Sequence, residues 1–118
     1  MTKPIALIVE DDPQLSQIFA ITLEPDFDVE VITEGDAAIT RLDRPPAPRV
    51  VILDLNLPAV SGSEILSHIR ADERLKDIVV MLATADARQA DALQDKADYV
   101  LLKPISPMQL RQLASRIK

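Results

Sequence analysis

Five short apolar runs, each followed by a segment with helical spacing, are the feature that most constrains how this chain can fold. The runs are Ile5–Val9, a more alternating stretch around Val29 and Val31, Val50–Leu53, Ile78–Leu82 and Tyr99–Leu102. Continuous apolar runs of this length predict strands that are buried on both faces. Because strands and helices alternate five times, the sequence predicts an α/β domain with a parallel sheet, right-handed crossovers and helices on both faces.

The segments between these runs predict five helices, over residues 13–23, 35–42, 61–72, 86–96 and 106–117. Pro13 suits the first helical position, where its missing N–H would be unpaired anyway. Ser61 is a predicted helix cap, with Glu64 at capping-box spacing. The alternating second strand, with Asp28 and Glu30 facing out, is expected at an edge of the sheet.

The proline-rich segment 43–49 is predicted to be a surface loop within one domain, because too little chain lies on either side of it to form two. We therefore expect a single domain over residues 1–118. Its core must be mainly aliphatic, since Phe19, Phe27 and Tyr99 are the only aromatic residues.

The composition argues against several functions. The chain has a formal net charge of −6 and no evident basic patch, which disfavours direct nucleic-acid binding. It has no cysteine, so disulfides and thiolate metal ligands are ruled out. No apolar run approaches the roughly 20 residues that span a bilayer, and acidic residues follow the N-terminus too soon for a signal peptide. We expect a cytoplasmic protein without membrane insertion.

Polar residues stand at the ends of four predicted strands. They are Glu10, Asp11 and Asp12 after the first strand, Asp54 after the third, Thr84 after the fourth and Lys103 after the fifth. In a parallel sheet these ends lie at one edge, where ligands bind in such folds. Converging carboxylates repel one another, and an oxygen-seeking cation such as Mg²⁺ removes that cost. A carboxylate nucleophile, a metal, a lysine and a hydroxyl donor together indicate phosphoryl transfer.

At these residues the sequence resembles the receiver domains of two-component response regulators, such as the chemotaxis regulators. The matching motifs are Ile8–Asp12, Leu53–Pro58 with Gly62, Ala83–Ala85 and Leu102–Pro104. They occur in the family's order and spacing, over essentially the whole chain. The resemblance implies a flavodoxin-like, doubly wound (βα)5 fold with a five-stranded parallel sheet in the order 2-1-3-4-5.

The resemblance also implies the residues that handle the phosphoryl group. Asp54 is implied as the phospho-acceptor and Thr84 as the switch hydroxyl that hydrogen-bonds the phosphoryl group. Lys103 is implied as the cation that pairs with a phosphoryl oxygen, and the Lys103–Pro104 peptide is expected to be cis.

The metal implied by the resemblance is Mg²⁺. Asp11, Asp54 and the backbone carbonyl of Asn56 are implied as its ligands, with Glu10 as an acidic partner. The family's phosphoryl donor is a phosphohistidine on a histidine kinase or a histidine phosphotransfer protein. A downstream effector, an output domain or a second copy of the chain is expected to bind the face formed by the fourth helix, fifth strand and fifth helix.

One departure from the family pattern concerns the switch. Many receivers carry Tyr or Phe three residues before the lysine, but here that position is Val100. Tyr99, one place earlier, is expected on the opposite face of the strand. We therefore expect phosphorylation to change residues 85–88 and the start of the fourth helix more than it changes the fifth strand.

Two alternative functions remain open on the sequence. A pseudo-receiver would use the same fold as an unphosphorylated binding scaffold, although a scaffold does not need the full set of acids, threonine and lysine. A small phosphatase of the haloacid-dehalogenase type also uses a strand-end Asp. It normally needs a second Asp two residues later, however, and that position is Asn56. We expect a signalling switch rather than an enzyme.

Overall fold

Five parallel strands form one sheet in the order β2-β1-β3-β4-β5 in the computed structural model, which describes residues 2–117. The strands are β1 (Ile5–Val9), β2 (Asp28–Ile32), β3 (Val50–Asp54), β4 (Val79–Thr84) and β5 (Tyr99–Leu102). The helices are α1 (Pro13–Leu23), α2 (Gly35–Leu42), α3 (Gly62–Ala71), α4 (Ala87–Leu93) and α5 (Pro107–Ala114). The predicted fold class and strand order are confirmed.

The core is divided into two layers, one on each face of the sheet. Successive side chains of a strand point to opposite faces. Leu53 therefore packs with Ile65 of α3 in one layer, whereas Ile52 packs with Phe19 of α1 and Leu110 of α5 in the other. Both faces of the central strand β3 are covered, and all five of its residues are buried. This explains why β3 appears in the sequence as a continuous apolar run.

Five elements end at residues other than those predicted. β3 includes Asp54 and α3 ends at Ala71, each one residue from its predicted end. β4 extends to Thr84, because Thr84 still pairs with Leu102 of β5. α4 ends at Leu93, and the following turn is closed by a 2.9 Å hydrogen bond from the N–H of Lys96 to the carbonyl of Leu93. α5 ends at Ala114, and a similar bond of 3.0 Å from the N–H of Ile117 to the carbonyl of Ala114 closes the following turn. Both turns join residues three apart, which is tighter than an α-helix.

The helices are short, and most begin with a side-chain cap. Asp12, Ser61, Asp86 and Ser106 each accept a hydrogen bond from a backbone N–H in the first turn, so the predicted Ser61 cap is confirmed. The longest helix in the part of the chain that the structure describes is α1, with 11 residues. None of the helices described there has the length and apolar character that crossing a membrane requires.

Glu30 does not follow the predicted orientation of β2. The strand does lie at an edge and Asp28 is exposed, as predicted, but Glu30 pairs with Arg41 of α2. Its two carboxylate oxygens accept hydrogen bonds from Nε and Nη2 of Arg41 at 2.6 and 3.2 Å. The Arg41 side chain is only 5% exposed and also donates to the carbonyls of Arg44 and Pro46. Because a buried guanidinium needs a carboxylate partner, Glu30 lies against α2, with 39% of its side chain still exposed.

Replacing Glu30 with glutamine is expected to lower the free energy of unfolding by about 1 kcal/mol at neutral pH, since Arg41 loses its charged partner but keeps an acceptor. The hydrogen bond from Arg41 lowers the pKa of Glu30 from its ordinary value of 4.5. A lowered carboxyl pKa contributes stability that is complete above the ordinary pKa and is lost as the pH falls through the lowered one. The difference between wild type and Glu30→Gln should follow this course.

Urea unfolding over a pH series tests this prediction. Asp28→Asn, on the same strand but exposed, is the matched control and should change stability little. An equal loss in both variants, or a Glu30→Gln loss that persists at low pH, would contradict the role of the Arg41 pair.

Candidate functional site

The carboxyl ends of four neighbouring strands meet at one edge of the sheet. The parallel register places Asp54 of β3 beside β4, and Thr84 of β4 beside β5. Glu10 directly follows β1, and Lys103 directly follows β5. Residues that are far apart in the sequence therefore lie at the edge where ligands bind in such sheets.

Asp54 is the buried carboxylate at the end of the central strand. Its side chain is 3% exposed. Oδ1 accepts a hydrogen bond of 3.1 Å from the backbone N–H of Asn56 and another of 3.4 Å from Nζ of Lys103. These two donors orient the carboxylate, and one of them is charged, which strengthens the interaction.

Glu10, Asp11 and Asp54 form an acid cluster. Each offers a carboxylate oxygen, and these oxygens lie within 4.8 Å of one another. Glu10 and Asp54 are buried, whereas Asp11 is exposed. Oε2 of Glu10 accepts a hydrogen bond from the N–H of Asp12 at 3.2 Å, but Oε1 has no hydrogen-bond partner within residues 2–117. Buried polar atoms are rarely left in this state, and oxygen donors at this spacing suit a hard cation such as Mg²⁺.

Lys103 supplies positive charge to this cluster, and its peptide bond with Pro104 is cis, as expected. Nζ lies 3.2 Å from Oε1 of Glu10, as an ion pair without hydrogen-bond geometry, and 3.4 Å from Oδ1 of Asp54. Burial raises the pKa of Glu10 to about 7, with a further contribution from Asp54. Burial acts to lower the pKa of Lys103, but its pairing with Glu10 and Asp54 outweighs burial and leaves that pKa raised. One lysine therefore compensates two buried acids only in part.

Thr84 is fully buried at the end of β4. Its carbonyl accepts a hydrogen bond of 2.8 Å from the N–H of Lys103, which links β4 to the residue that follows β5. Its hydroxyl oxygen accepts a hydrogen bond from the N–H of Asp86 at 3.0 Å and donates one to Oε1 of Gln89 in α4 at 3.2 Å. The hydroxyl is thus bonded to α4, a contact that sequence spacing does not predict.

Two further residues of the sequence motifs, Asn56 and Asp12, make other contacts in the structure. Asn56 lies in the loop after β3 with an exposed side chain, and its N–H donates to Asp54. The role of its carbonyl as a metal ligand stays a prediction. Asp12 caps α1, because its Oδ1 accepts hydrogen bonds from the N–H groups of Gln14 and Leu15 at 2.9 and 3.3 Å.

The loop after β3 and the first residue of α3 contain two residues whose importance the strand-end pattern does not reveal. Ala59 has a φ of 64°, which is uncommon for a residue other than glycine. A Cβ atom on Gly62 would lie 2.4 Å from the carbonyl oxygen of Asp54 and 2.7 Å from Cα of Leu55. Neither backbone atom can rotate away, so glycine allows α3 to begin directly against the strand end that carries Asp54. The presence of Gly62 in a matching motif was the signal for this role.

Val100 and Tyr99 lie on opposite faces of β5, as predicted. Val100 packs against the layer that contains Leu82, and Leu93 of α4 packs against the same layer. Tyr99 packs against the other layer, which contains Met81. The strand position three residues before Lys103 therefore presents a small aliphatic side chain toward the side of the sheet that carries α4.

The sequence is similar to response regulators over most of its length. Residues 6–115 match the family described as response regulator receiver domain. The chain is 33% identical over 113 residues to the DNA-binding response regulator MtrA of Mycolicibacterium smegmatis. It is 31% identical over 116 residues to the phosphate regulon transcriptional regulatory protein PhoB of Escherichia coli. Both matches cover 95% of this chain but 48% and 49% of the relatives, so the chain spans about half their length.

Solved receiver structures are also similar. The chemotaxis response regulator CheY4 of Vibrio cholerae shares the fold with a TM-score of 0.88 at 23% identity, covering 99% of this chain and 100% of that chain. The receiver domain of the sensor histidine kinase PA1611 of Pseudomonas aeruginosa has a TM-score of 0.86 at 25% identity and covers 98% of each chain. That domain was solved with a magnesium ion coordinated in its active site cleft. The response regulator Rcp1, with a TM-score of 0.81, 26% identity and coverage of 97% and 91%, was solved in an Mn²⁺-bound form.

Gly62→Ala is expected to lower the free energy of unfolding by about 2 kcal/mol or more, because the new Cβ overlaps backbone atoms of Asp54 and Leu55. Helix propensity alone would favour alanine by roughly 0.5–1 kcal/mol, so the expected sign is opposite to that of an ordinary helix substitution. Chemical denaturation measures the change. Ser67→Ala, at an exposed position of α3, is the control and should change stability by no more than about 0.5 kcal/mol. A Gly62→Ala protein as stable as wild type would show that the predicted overlap is absent.

Proposed function

We propose that this chain, which belongs to the response regulator receiver domain family, is a switch in which Asp54 accepts a phosphoryl group from a phosphohistidine. The donor in this proposal is a histidine kinase or a histidine phosphotransfer protein. Residues 1–118 act as one receiver domain, and as a signalling switch rather than an enzyme with a separate substrate. The observation that carries the proposal is the contact of buried Asp54 with Lys103, which also forms an ion pair with Oε1 of buried Glu10.

In the proposed reaction, one carboxylate oxygen of Asp54 attacks the phosphorus atom of the phosphohistidine. An O–P bond forms and gives an acyl phosphate, while the P–N bond breaks and its electron pair stays on the imidazole nitrogen of the donor. A carboxylate can act as the nucleophile without a base to remove a proton. Its burial and the hydrogen bond from the N–H of Asn56 hold it in one orientation for attack.

The charge on the transferred oxygens is met by two groups of this chain. The ammonium of Lys103, already 3.4 Å from Asp54, pairs with one phosphoryl oxygen. The hydroxyl of Thr84 donates a hydrogen bond to another. Positioning and charge neutralisation of this kind supply most of the catalysis of phosphoryl transfer.

Glu10, Asp11, Asp54 and the backbone carbonyl of Asn56 are the groups proposed to hold Mg²⁺. When bound, the ion neutralises the acid cluster and the charge on the phosphoryl oxygens. The 4.8 Å grouping of carboxylate oxygens supports this assignment, as does Oε1 of Glu10, which accepts no hydrogen bond within residues 2–117 and has only the Lys103 ion pair. The metal-bound structures of PA1611 and Rcp1 support it by analogy.

The signal is proposed to leave through the face formed by α4, β5 and α5, toward a downstream effector, an output domain or a second copy of the chain. Leu102 of β5 is 52% exposed and Met108 of α5 is 71% exposed. Direct nucleic-acid binding by this domain is not expected, because its net charge is −6.

A Mg²⁺ titration tests the metal assignment. The amide signals of residues 10–12 and 54–56 are expected to shift in wild type. In Asp11→Ala the affinity should fall by about tenfold or more, since the cluster loses a charged oxygen donor. Asp91→Ala, at an exposed position of α4, is the matched control and should titrate as wild type does. Superimposable titrations of wild type and Asp11→Ala would refute the role of Asp11.

A small phosphodonor such as acetyl phosphate, together with Mg²⁺, should add one phosphoryl group that hydroxylamine removes, as expected for an acyl phosphate. Asp54→Asn should abolish the adduct in intact-mass spectra, whereas Asp91→Asn should leave it unchanged. The same adduct on Asp54→Asn would overturn the choice of nucleophile. If neither the small donor nor a phosphorylated phosphotransfer protein labels wild type, the unphosphorylated scaffold becomes the better explanation.

A further inference from the structure

We infer that Gln89 of α4 is a positioning residue for the switch hydroxyl: it holds the proton of Thr84 in the unphosphorylated protein and releases it when the phosphoryl group forms. The inference rests on the proposed function, because it assumes that Thr84 donates to a phosphoryl oxygen on Asp54. It adds a residue outside the strand-end motifs and assigns α4 a direct link to the site.

The hydrogen bonds of Thr84 exclude simultaneous donation to Gln89 and to a phosphoryl group. In the structure the hydroxyl donates to Oε1 of Gln89 at 3.2 Å and accepts from the N–H of Asp86 at 3.0 Å. A threonine hydroxyl has one proton to donate. The proton can therefore go to Gln89 or to a phosphoryl oxygen, but not to both. Formation of the new bond must break the bond to α4.

The bond to Gln89 matters for α4 because little else holds the start of that helix. α4 has seven residues, of which Ala90 alone is buried, and Leu93 packs only partly against the core. A helix this short is not stable without contacts to the rest of the protein. Its first turn is fixed by the Asp86 cap, whose Oδ1 accepts from the N–H of Arg88 at 2.9 Å, and by the two hydrogen bonds that the Thr84 hydroxyl makes to Asp86 and Gln89. Loss of the bond from Thr84 to Gln89 is therefore expected to loosen the first turn of α4.

Residues on β5 offer no equivalent link from Thr84. Val100 is a small aliphatic side chain in the same core layer as Leu93, and it has no polar atom that could bond the hydroxyl. Tyr99 packs in the opposite layer. Gln89 is consequently the side chain that couples the position of the Thr84 hydroxyl to the position of α4.

Four variants test this inference. Gln89→Met keeps a side chain of similar length but removes the acceptor, whereas Gln89→Glu keeps an acceptor and adds a charge. Gln94→Met and Gln94→Glu make the same changes at the exposed C-cap of α4 and are the matched controls. The probe is beryllofluoride with saturating Mg²⁺, followed by fluorine NMR of the bound species.

A typical hydrogen bond changes an equilibrium by roughly two- to tenfold. Gln89→Met should therefore bind beryllofluoride about two- to tenfold more tightly than wild type, because no bond to Gln89 has to be broken. Gln89→Glu should bind it more weakly, because a charged acceptor holds the Thr84 proton more strongly and repels the anion. The two Gln94 variants should match wild type.

Hydrogen exchange without beryllofluoride gives a second readout that does not depend on phosphorylation. Amides of α4 should exchange roughly two- to tenfold faster in Gln89→Met than in wild type, whereas Gln89→Glu should keep wild-type protection. A Gln89→Met protein that matches wild type in both exchange and beryllofluoride affinity overturns the inference. If wild type does not bind beryllofluoride at all, the proposed function fails. The exchange data alone then decide whether Gln89 holds Thr84.

Discussion

Two carboxylates buried side by side at the end of an apolar sheet are the constraint on which the rest of this structure depends. Glu10 and Asp54 are 1% and 3% exposed, and Lys103 is the one cation of the described chain that forms an ion pair with both. Burying a carboxylate is costly unless positive charge compensates it. The raised pKa of Glu10, caused first by burial and then by Asp54, is a consequence of that cost. A site built in this way favours any ligand that brings positive charge to it.

The parts of the fold that carry this cluster are held firmly, whereas the part next to it is not. β3 is buried along its whole length, and α3 begins at Gly62 in direct contact with the backbone of Asp54. Such close packing fixes the acids relative to one another. α4, by contrast, has one buried residue and depends at its start on the Asp86 cap and the two hydrogen bonds of the Thr84 hydroxyl. Segments with few buried contacts open and move most readily, so a change at Asp54 is expected to reach α4 before it reaches β3.

Most of the fold followed from patterns that depend only on neighbouring residues. Continuous apolar runs predicted β1 and β5 with their observed bounds, because burial on both faces leaves a direct trace in the sequence. The convergence of Asp54 and Lys103 followed in turn from the parallel order of the strands. The details that were missed depend on a partner elsewhere in the fold. The alternation along β2 predicted that Glu30 faces solvent. Only the packing of α2 shows that Arg41 is buried beside it.

Contacts that depend on the rest of the fold were also missed within the motifs. Asp11 and Asp12 are adjacent acids that composition cannot distinguish, yet one belongs to the acid cluster and the other caps α1. The difference is set by where the helix begins, because the N–H groups of the first turn take the carboxylate of Asp12. Gln89 was missed for a related reason. Whether a side chain five residues after Thr84 returns to its hydroxyl depends on the orientation of a short helix that the sequence only partly determines.

The interpretation of Thr84 as a donor with one proton also explains how a receiver can dispense with an inward aromatic side chain. A ligand shifts a conformational equilibrium only by as much as it distinguishes the two states. In the proposed switch the distinction lies in which acceptor receives the proton: the neutral amide oxygen of Gln89, or a charged phosphoryl oxygen, to which hydrogen bonds are roughly twice as strong. An aromatic residue that fills the space behind Thr84 would add to that difference. The exchange of acceptors alone, however, already favours the state in which Thr84 bonds the phosphoryl group. Because few buried contacts oppose the movement of α4, this modest difference acts on the element that is least costly to move.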